Sequence, residues 1–396
     1  PPRGAPDHDT IATFRRQHLS ELKELFVQIL VIAQEMGQWQ VGNVSLDGSK
    51  MQADASTSQA VSSKRLVAIE ADLQAEVEEL FALAEASDGG QVPEEMTIAD
   101  EIERRQQQLA RLAAAKKVLE ERAQARYEAE QAEYAAKMPQ RAEKATQKGQ
   151  KPRGKTPQPP TPGPRDKDQY NFSDPESRIM KNANNSGFDQ HYNVPVVVDH
   201  DSRRIVGEWL CHQTNDQQAA LPTIDTVSPE RGQVKNANLD PGYFSQDNIN
   251  GLEARGIDPH LATGRSPHHQ GWHAYFLDQP EPPAEGASVK ERMASKLRTE
   301  IGQALYRLRK STVEPVIGIV KEAMGFRQFS LRGLLAAADE WTLVCLAYNL
   351  KRLHIFQFGL TGGCCPLPEA QKWVIKWRRI HDFEVAMRCK LLVFAF

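Results

Sequence analysis

Long apolar runs are missing from this 396-residue chain: the longest, such as residues 25–33, fall well short of the roughly 20 residues that a membrane-spanning helix needs. The opening residues Pro1 to His8 form no apolar signal core, so a soluble protein is expected. Cysteine is scarce. Cys211, Cys345, Cys364, Cys365 and Cys389 show neither C-x-x-C spacing nor a regular framework, which excludes a zinc ribbon and a secreted disulfide scaffold and points to a reducing cytoplasm. A charge excess of one sign is also absent, since 49 Lys and Arg stand against 52 Asp and Glu for a net charge of -3. A uniformly basic nucleic-acid binder is thereby excluded, and any DNA contact has to come from local clusters. There is no initiator Met before the first helical pattern, so the chain is expected to be a fragment with sequence upstream.

What is present is an alternation of helical and strand-like patterns. Ile11, Phe14, Leu19, Leu22, Leu25, Phe26, Ile29, Leu30 and Ala33 recur at helical spacing, with Gly37 placed as a C-terminal cap. Residues 1–40 are expected to hold one or two helices. Residues 41–56 then supply a first strand that ends at Asp47, where Val44 and Leu46 alternate before Asp-Gly. Two helical patterns follow, one through Leu66, Ile69, Leu73, Val77 and Leu80, the other from Thr97 through Ile102, Leu109, Leu112 and Leu119. They predict a helical hairpin or coiled coil over 57–138. Residues 139–169 are proline-rich and basic and are expected to form a linker without structure. A β-hairpin is predicted with arms Tyr192 to Asp199 and Arg204 to Cys211, Pro195 placing its arm at an edge or a bulge. A helix near Gln217 to Ile224, a strand ending at Asp240, a helix from Ser245 to Arg255 and a strand near Pro259 to Thr263 complete an α/β core over 170–353. Its last part, from Ser288, reads as helical apart from a turn at Phe326 to Arg332. Residues 354–396 form a tail without an assignment.

Asp47 and Asp240 each end a predicted strand, the place where ligands collect on open α/β sheets. At about 100° per residue, Tyr306, Lys310, Glu314 and Lys321 project within about a quarter-turn of one another, although Pro315 predicts that the helix restarts there. Three carboxylates with basic companions suit divalent metal and phosphodiester chemistry, because two clamped ions can activate the nucleophile and stabilise the leaving oxygen.

Asp47 in V-S-L-D-G-S-K, Asp240 in N-L-D-P-G-Y-F-S and Glu314 in Y-R-L-R-K-S-T-V-E-P-V-I-G-I-V-K resemble the three acid motifs of DDE transposases from bacterial insertion sequences. Supporting stretches are Asp174 to Arg178, Asn215 to Gln218, Gly325 to Arg327 and Glu340-Trp341 leading to Ala347 to Leu350, so the likeness runs over roughly residues 6 to 353. The resemblance implies a ribonuclease-H-like mixed sheet flanked by helices and a site of two Mg²⁺ ions, with Mn²⁺ as a substitute. Asp47 would bridge the ions while Asp240 and Glu314 complete their shells. It further implies that Tyr306, Lys321 and a basic residue at either Arg309 or Lys310 contact DNA. Element ends and target DNA would be the partners, a homodimer the synaptic form, the bacterial cytoplasm in association with the nucleoid the location, and residues 1–40 the end of an upstream helical DNA-binding domain. The alternative is a truncated remnant that only binds DNA.

Other groups read more simply. His268, His269 and His273 with Asp258 and His260 match no zinc spacing and read as a solvated loop. Trp341 and Tyr348 lie on an apolar helical run and read as core rather than as base-stacking platforms.

Overall fold

A computed structural model of the chain describes residues 13–14, 17–35, 42–87, 98–148, 156–182, 187–228, 232–264, 283–284 and 286–359. Gly37, Thr97, the three clustered histidines His268, His269 and His273, and the tail from 360 lie outside them. In chain order the elements are α1 (Leu19–Glu35), β1 (Asn43–Asp47), β2 (Lys50–Gln52), β3 (Ala60–Ser62), α2 (Ser63–Ser87), α3 (Ile98–Lys148) and β4 (Gln169–Asn171). They continue with β5 (Arg178–Lys181), β6 (Phe188–Asn193), β7 (Val196–Asp199), β8 (Ile205–Glu208), α4 (Ala220–Asp225), β9 (Asn236–Leu239), α5 (Gln246–Ala254) and β10 (Asp258–Leu261). The last are α6 (Val289–Arg298), α7 (Glu300–Gly318), a π turn (Ile319–Ala323) and α8 (Leu334–Gly359). Two compact units result, residues 1–54 with 176–396, and residues 55–175.

The first unit is built on a mixed sheet of order β10-β9-β1-β7-β8, in which β10, β9 and β1 run parallel and β7 and β8 return antiparallel. Val196, Val197 and Val198 are β-branched and fully buried, as expected of an inner strand covered on both faces. Helix α7 packs across β1, β7, β9 and β10, and α8 packs on β8 and on α1. The apolar stripe of α1, Leu22, Phe26, Ile29, Leu30 and Ala33, is buried in this unit. On α8, Trp341 and Tyr348 are buried, Trp341 tilted against Phe326, which packs edge-on to Phe329.

The predicted arm Tyr192 to Asp199 is two strands in two sheets. Pro195 has no N–H to give to a ladder, so β6 ends before it and pairs with β2 and β5, while β7 joins the large sheet. Opposite this break the chain bends at Gly48. Ser49 and Val194 exchange backbone hydrogen bonds of 3.4 and 2.9 Å across the bend. The corner leaves Asp47 as the last residue of β1.

Glu208, at the end of β8, accepts a hydrogen bond of 2.7 Å from the Thr342 hydroxyl of α8. Burial pushes its carboxyl up from 4.5 to about 7, against the pull of that hydroxyl and of Lys23. A folded-state pKa above the unfolded one means that stability falls as pH rises from 4.5 through 7. Glu208→Gln removes the ionisation and keeps the acceptor. It is expected to stabilise the protein by at most about 3 kcal/mol at pH 8 and by nothing measurable at pH 4. Urea melts at the two pH values check this; equal effects at both would refute it.

The second unit holds an antiparallel pair, α2 and α3, closed by Leu66, Leu112, Ala115 and Leu119 with Tyr170 and Phe172 against them. Lys116 to Glu70 and Arg105 to Glu76 set the same direction. Helix α3 runs ten residues beyond the expected boundary at 138, through Pro139 to Lys148. Proline removes one hydrogen bond, but the Ala, Glu, Lys and Gln around it favour helix. The described proline-rich residues are also held, contrary to the expected absence of structure: Arg126 donates to Asp168 at 2.8 Å and to the Gly163 carbonyl at 3.1 Å, and Arg165 pairs with Glu130.

Candidate active site

The parallel register of β1 and β9 pairs Leu46 with Leu239, so the residues that follow, Asp47 and Asp240, leave the sheet side by side at its carboxyl end. Asp240 then precedes a single 3-10 turn, Pro241–Tyr243, with Pro241 at its first position. Glu314 comes from α7. Helix α7 continues unbroken through Pro315, where a restart was expected, and opens only at the following π turn. In that turn the Met324 N–H bonds the Ile319 carbonyl at 2.9 Å.

The three carboxylates meet on one cation. The Arg309 guanidinium donates through Nη1 to Asp47 Oδ2 at 3.0 Å and through Nη2 to Glu314 Oε1 at 3.2 Å, and its Nη2 forms an ion pair with Asp240 Oδ1 at 2.9 Å. Arg309 rather than Lys310 is therefore the base at the acids; Lys310 is exposed. The Tyr306 ring lies 5.9 Å from the guanidinium carbon and its hydroxyl is pushed up by burial. Among the described residues no group of three or more His, Cys, Asp or Glu stands ready-made around a metal position. The guanidinium fills the place where the carboxylates converge.

Burial pushes the Asp47 carboxyl up from 3.8 to about 6; Arg309 opposes this and Asp240 and Glu314 add to it. The Gly48 N–H donates to Asp47 Oδ1 at 2.8 Å and also favours the charged form. The carboxyl is thus charged above about 6 and neutral below it.

Three further residues line the corner and were not singled out as site residues from the sequence. A Cβ on Gly48 would stand 2.7 Å from the Tyr243 hydroxyl and 3.0 Å from Asn193 Oδ1, which explains a glycine beside Asp47. Asn193 donates to Asp216 Oδ1 at 2.8 Å. Asp216 also lies against Gly242, 3.4 Å from where a Cβ would be. Asn215-Asp216 stood among the matching stretches, but nothing in its local pattern marks it as a neighbour of Asp47 and Asp240. Lys321 is not among the partners of Glu314. Its Nζ donates to the Lys50 carbonyl of β2 at 3.3 Å, and burial lowers its pKa, as does nearby Arg327. Wider winding in the π turn offsets it from the α-helical alignment with Glu314 that seven-residue spacing predicts.

No helix of the described residues is long and apolar enough to cross a membrane. No curated protein and no solved structure matches the chain. Residues 283–354, which carry α6, α7, Arg309, Glu314 and Lys321, match a family model described as the transposase DDE domain.

Proposed function

We propose that the protein is a transposase of a bacterial insertion sequence that cuts DNA at the element's ends and joins the freed 3′ hydroxyl to target DNA, using divalent metal held by Asp47, Asp240 and Glu314. The observation that carries this reading is the meeting of those three carboxylates at the carboxyl ends of two parallel strands. The strand order β10-β9-β1-β7-β8, with the last two antiparallel to the rest, supports a ribonuclease-H-like core. An all-oxygen donor set with net negative charge suits Mg²⁺, or Mn²⁺ in its place, so these residues fit the metal that the family implies. When bound, a pair of such ions would activate the attacking oxygen and stabilise the leaving one. The chain's own part is to hold three charged ligands on rigid elements. At neutral pH Asp47 is on the ionised side of its pKa of about 6.

Lys321, Lys50 and Arg327 form a basic group on the small-sheet side, Lys50 and Lys321 both acting on His191 and Arg327 acting on Lys321. With Tyr306 they are the DNA contacts in this reading, and two copies would pair the element's ends. A protein that only binds DNA has no use for three acids gathered on one guanidinium, which favours the enzyme over the remnant. Incubation of the protein with labelled element ends and Mg²⁺ tests it: strand cleavage that stops on chelation is expected, and intact DNA under all metal conditions would refute it.

Lys321→Ala is expected to weaken binding of element ends and to reduce the slope of log affinity against log salt by about one, with metal affinity little changed. Asp240→Ala should do the reverse, because loss of a carboxylate relieves repulsion of phosphate while removing a metal ligand. Gel-shift titrations across a salt series decide, and an unchanged slope in Lys321→Ala would make that lysine an ordinary surface residue.

A further inference from the structure

We propose that the Arg309 guanidinium is a resident counter-cation of the acidic site, held by Asp47, Asp240 and Glu314 where divalent metal would sit, and that the two occupancies exclude each other. This rests on the reading of the three acids as metal ligands.

The side chain of Arg309 is 9% exposed, against 22%, 40% and 47% for its three partners, so the cation is the buried member and the acids surround it. Its Nη2 is shared between Asp240 and Glu314 while Nη1 takes Asp47, which puts the planar head between all three rather than beside one. Its Nε is buried and has no hydrogen-bond partner among the described residues. The head is held by the three acids, with the Tyr306 side chain beside it. One positive charge leaves two of the three negative charges uncompensated, so a divalent ion is still attracted. An ion bound by the same oxygens nevertheless has to displace the guanidinium, because both need the same lone pairs and the same space. Five residues separate Arg309 from Glu314, about 140° around an α-helix, so the arginine crosses to the acids by the reach of its stem and is free to swing out without a change in α7.

Two consequences follow. The metal-free protein is relieved of repulsion among three carboxylates, so its fold does not depend on metal. Metal affinity is correspondingly lower than the same acids would have alone, and loading releases a guanidinium at the site's edge, where a phosphate can take it.

Mn²⁺ binding to the DNA-free protein at pH 7.5, followed by the loss of the free-ion paramagnetic resonance signal, tests the exclusion without any activity readout. Arg309→Gln is expected to bind Mn²⁺ at least tenfold more tightly than the unaltered protein. Its thermal midpoint should fall in the absence of metal and recover on saturation with Mn²⁺. Arg309→Lys, which keeps a charge that can serve fewer acids at once, should lie between the two; should Arg309→Gln fail to fold, the lysine variant decides. Unchanged or weaker Mn²⁺ affinity in the variant that decides, together with loss of binding in Asp47→Asn, overturns the exclusion and leaves the acids as metal ligands. Absence of Mn²⁺ binding in the unaltered protein and both arginine variants overturns the metal reading and the exclusion with it.

Discussion

Asp47→Asn is expected to reduce metal-dependent strand cleavage by roughly 10³-fold or more, with no loss of fold. Lewis-acid and nucleophile activation by bound metal are worth several kcal/mol, and each 1.4 kcal/mol or so is a decade in rate. Asparagine keeps the shape and an oxygen that can accept from the Gly48 N–H, yet it cannot supply the charge. Because burial disfavours the ionised aspartate, the neutral variant should melt at the same temperature or higher at pH 8. Activity and stability are therefore expected to move in opposite directions. A variant that cleaves at the normal rate, or one that unfolds, would show that Asp47 is a structural residue of the corner.

The second large effect lies at the sheet's edge. Strand β8 is last in the order, and its Ile205 offers both backbone groups outward. Asn349 of α8 takes both: its Oδ1 accepts from the Ile205 N–H at 2.9 Å and its Nδ2 donates to the Ile205 carbonyl at 2.7 Å, as a neighbouring strand would. Asn349 is fully buried, so water cannot replace it there. Asn349→Ala leaves two buried backbone groups unpaired at about 1–3 kcal/mol each, a loss of about 3–4 kcal/mol and of the order of 10 °C in melting temperature. Calorimetry or circular-dichroism melts measure it, and a drop under about 3 °C would mean that the edge is satisfied some other way.

Local patterns in the sequence make much of this legible. The Asp-Gly after alternating Val44 and Leu46, and the Asp-Pro-Gly after Leu239, marked the two strand ends, because period-two burial and turn formers are properties of a few adjacent residues. The parallel pairing of those strands comes from chain topology, and only the family resemblance pointed to it. The helix from Ser245 and the helices from Ser288 were likewise local, Ser245 capping the first and Ser288 closing a capping box with Glu291. What stayed hidden depends on distant partners. Nothing adjacent to Pro195 says that its two sides join different sheets, since that follows from β2 lying opposite β6. Pro315 and Pro139 argued for breaks that neighbouring helix formers and packing override. Stretch 156–168 looked unable to order itself, and its anchors on α3, Arg126 and Glu130, lie 35 to 42 residues away in sequence.

The site divides in the same way. Asp47, Asp240 and Glu314 were named from motif and order, and the structure brings them together on one side chain. The choice between Arg309 and Lys310 stayed open at the level of spacing, because one residue is about 100° of helix and only the partners settle which base turns inward. Lys321 was placed beside Glu314 by seven-residue spacing, and the π turn carries it toward β2 instead. Asn193, Asp216 and Tyr243 reach the corner from three separate segments, so no local pattern groups them.

In the proposed function the three acids are metal ligands of a phosphodiester-cutting site. Anomalous diffraction from crystals grown with Mn²⁺ and a DNA duplex tests it most directly. Two peaks about 4 Å apart are expected, contacted by the carboxylates of Asp47, Asp240 and Glu314, with Arg309 withdrawn from them. Manganese bound elsewhere, with the guanidinium still seated among the three acids in the DNA complex, would contradict it.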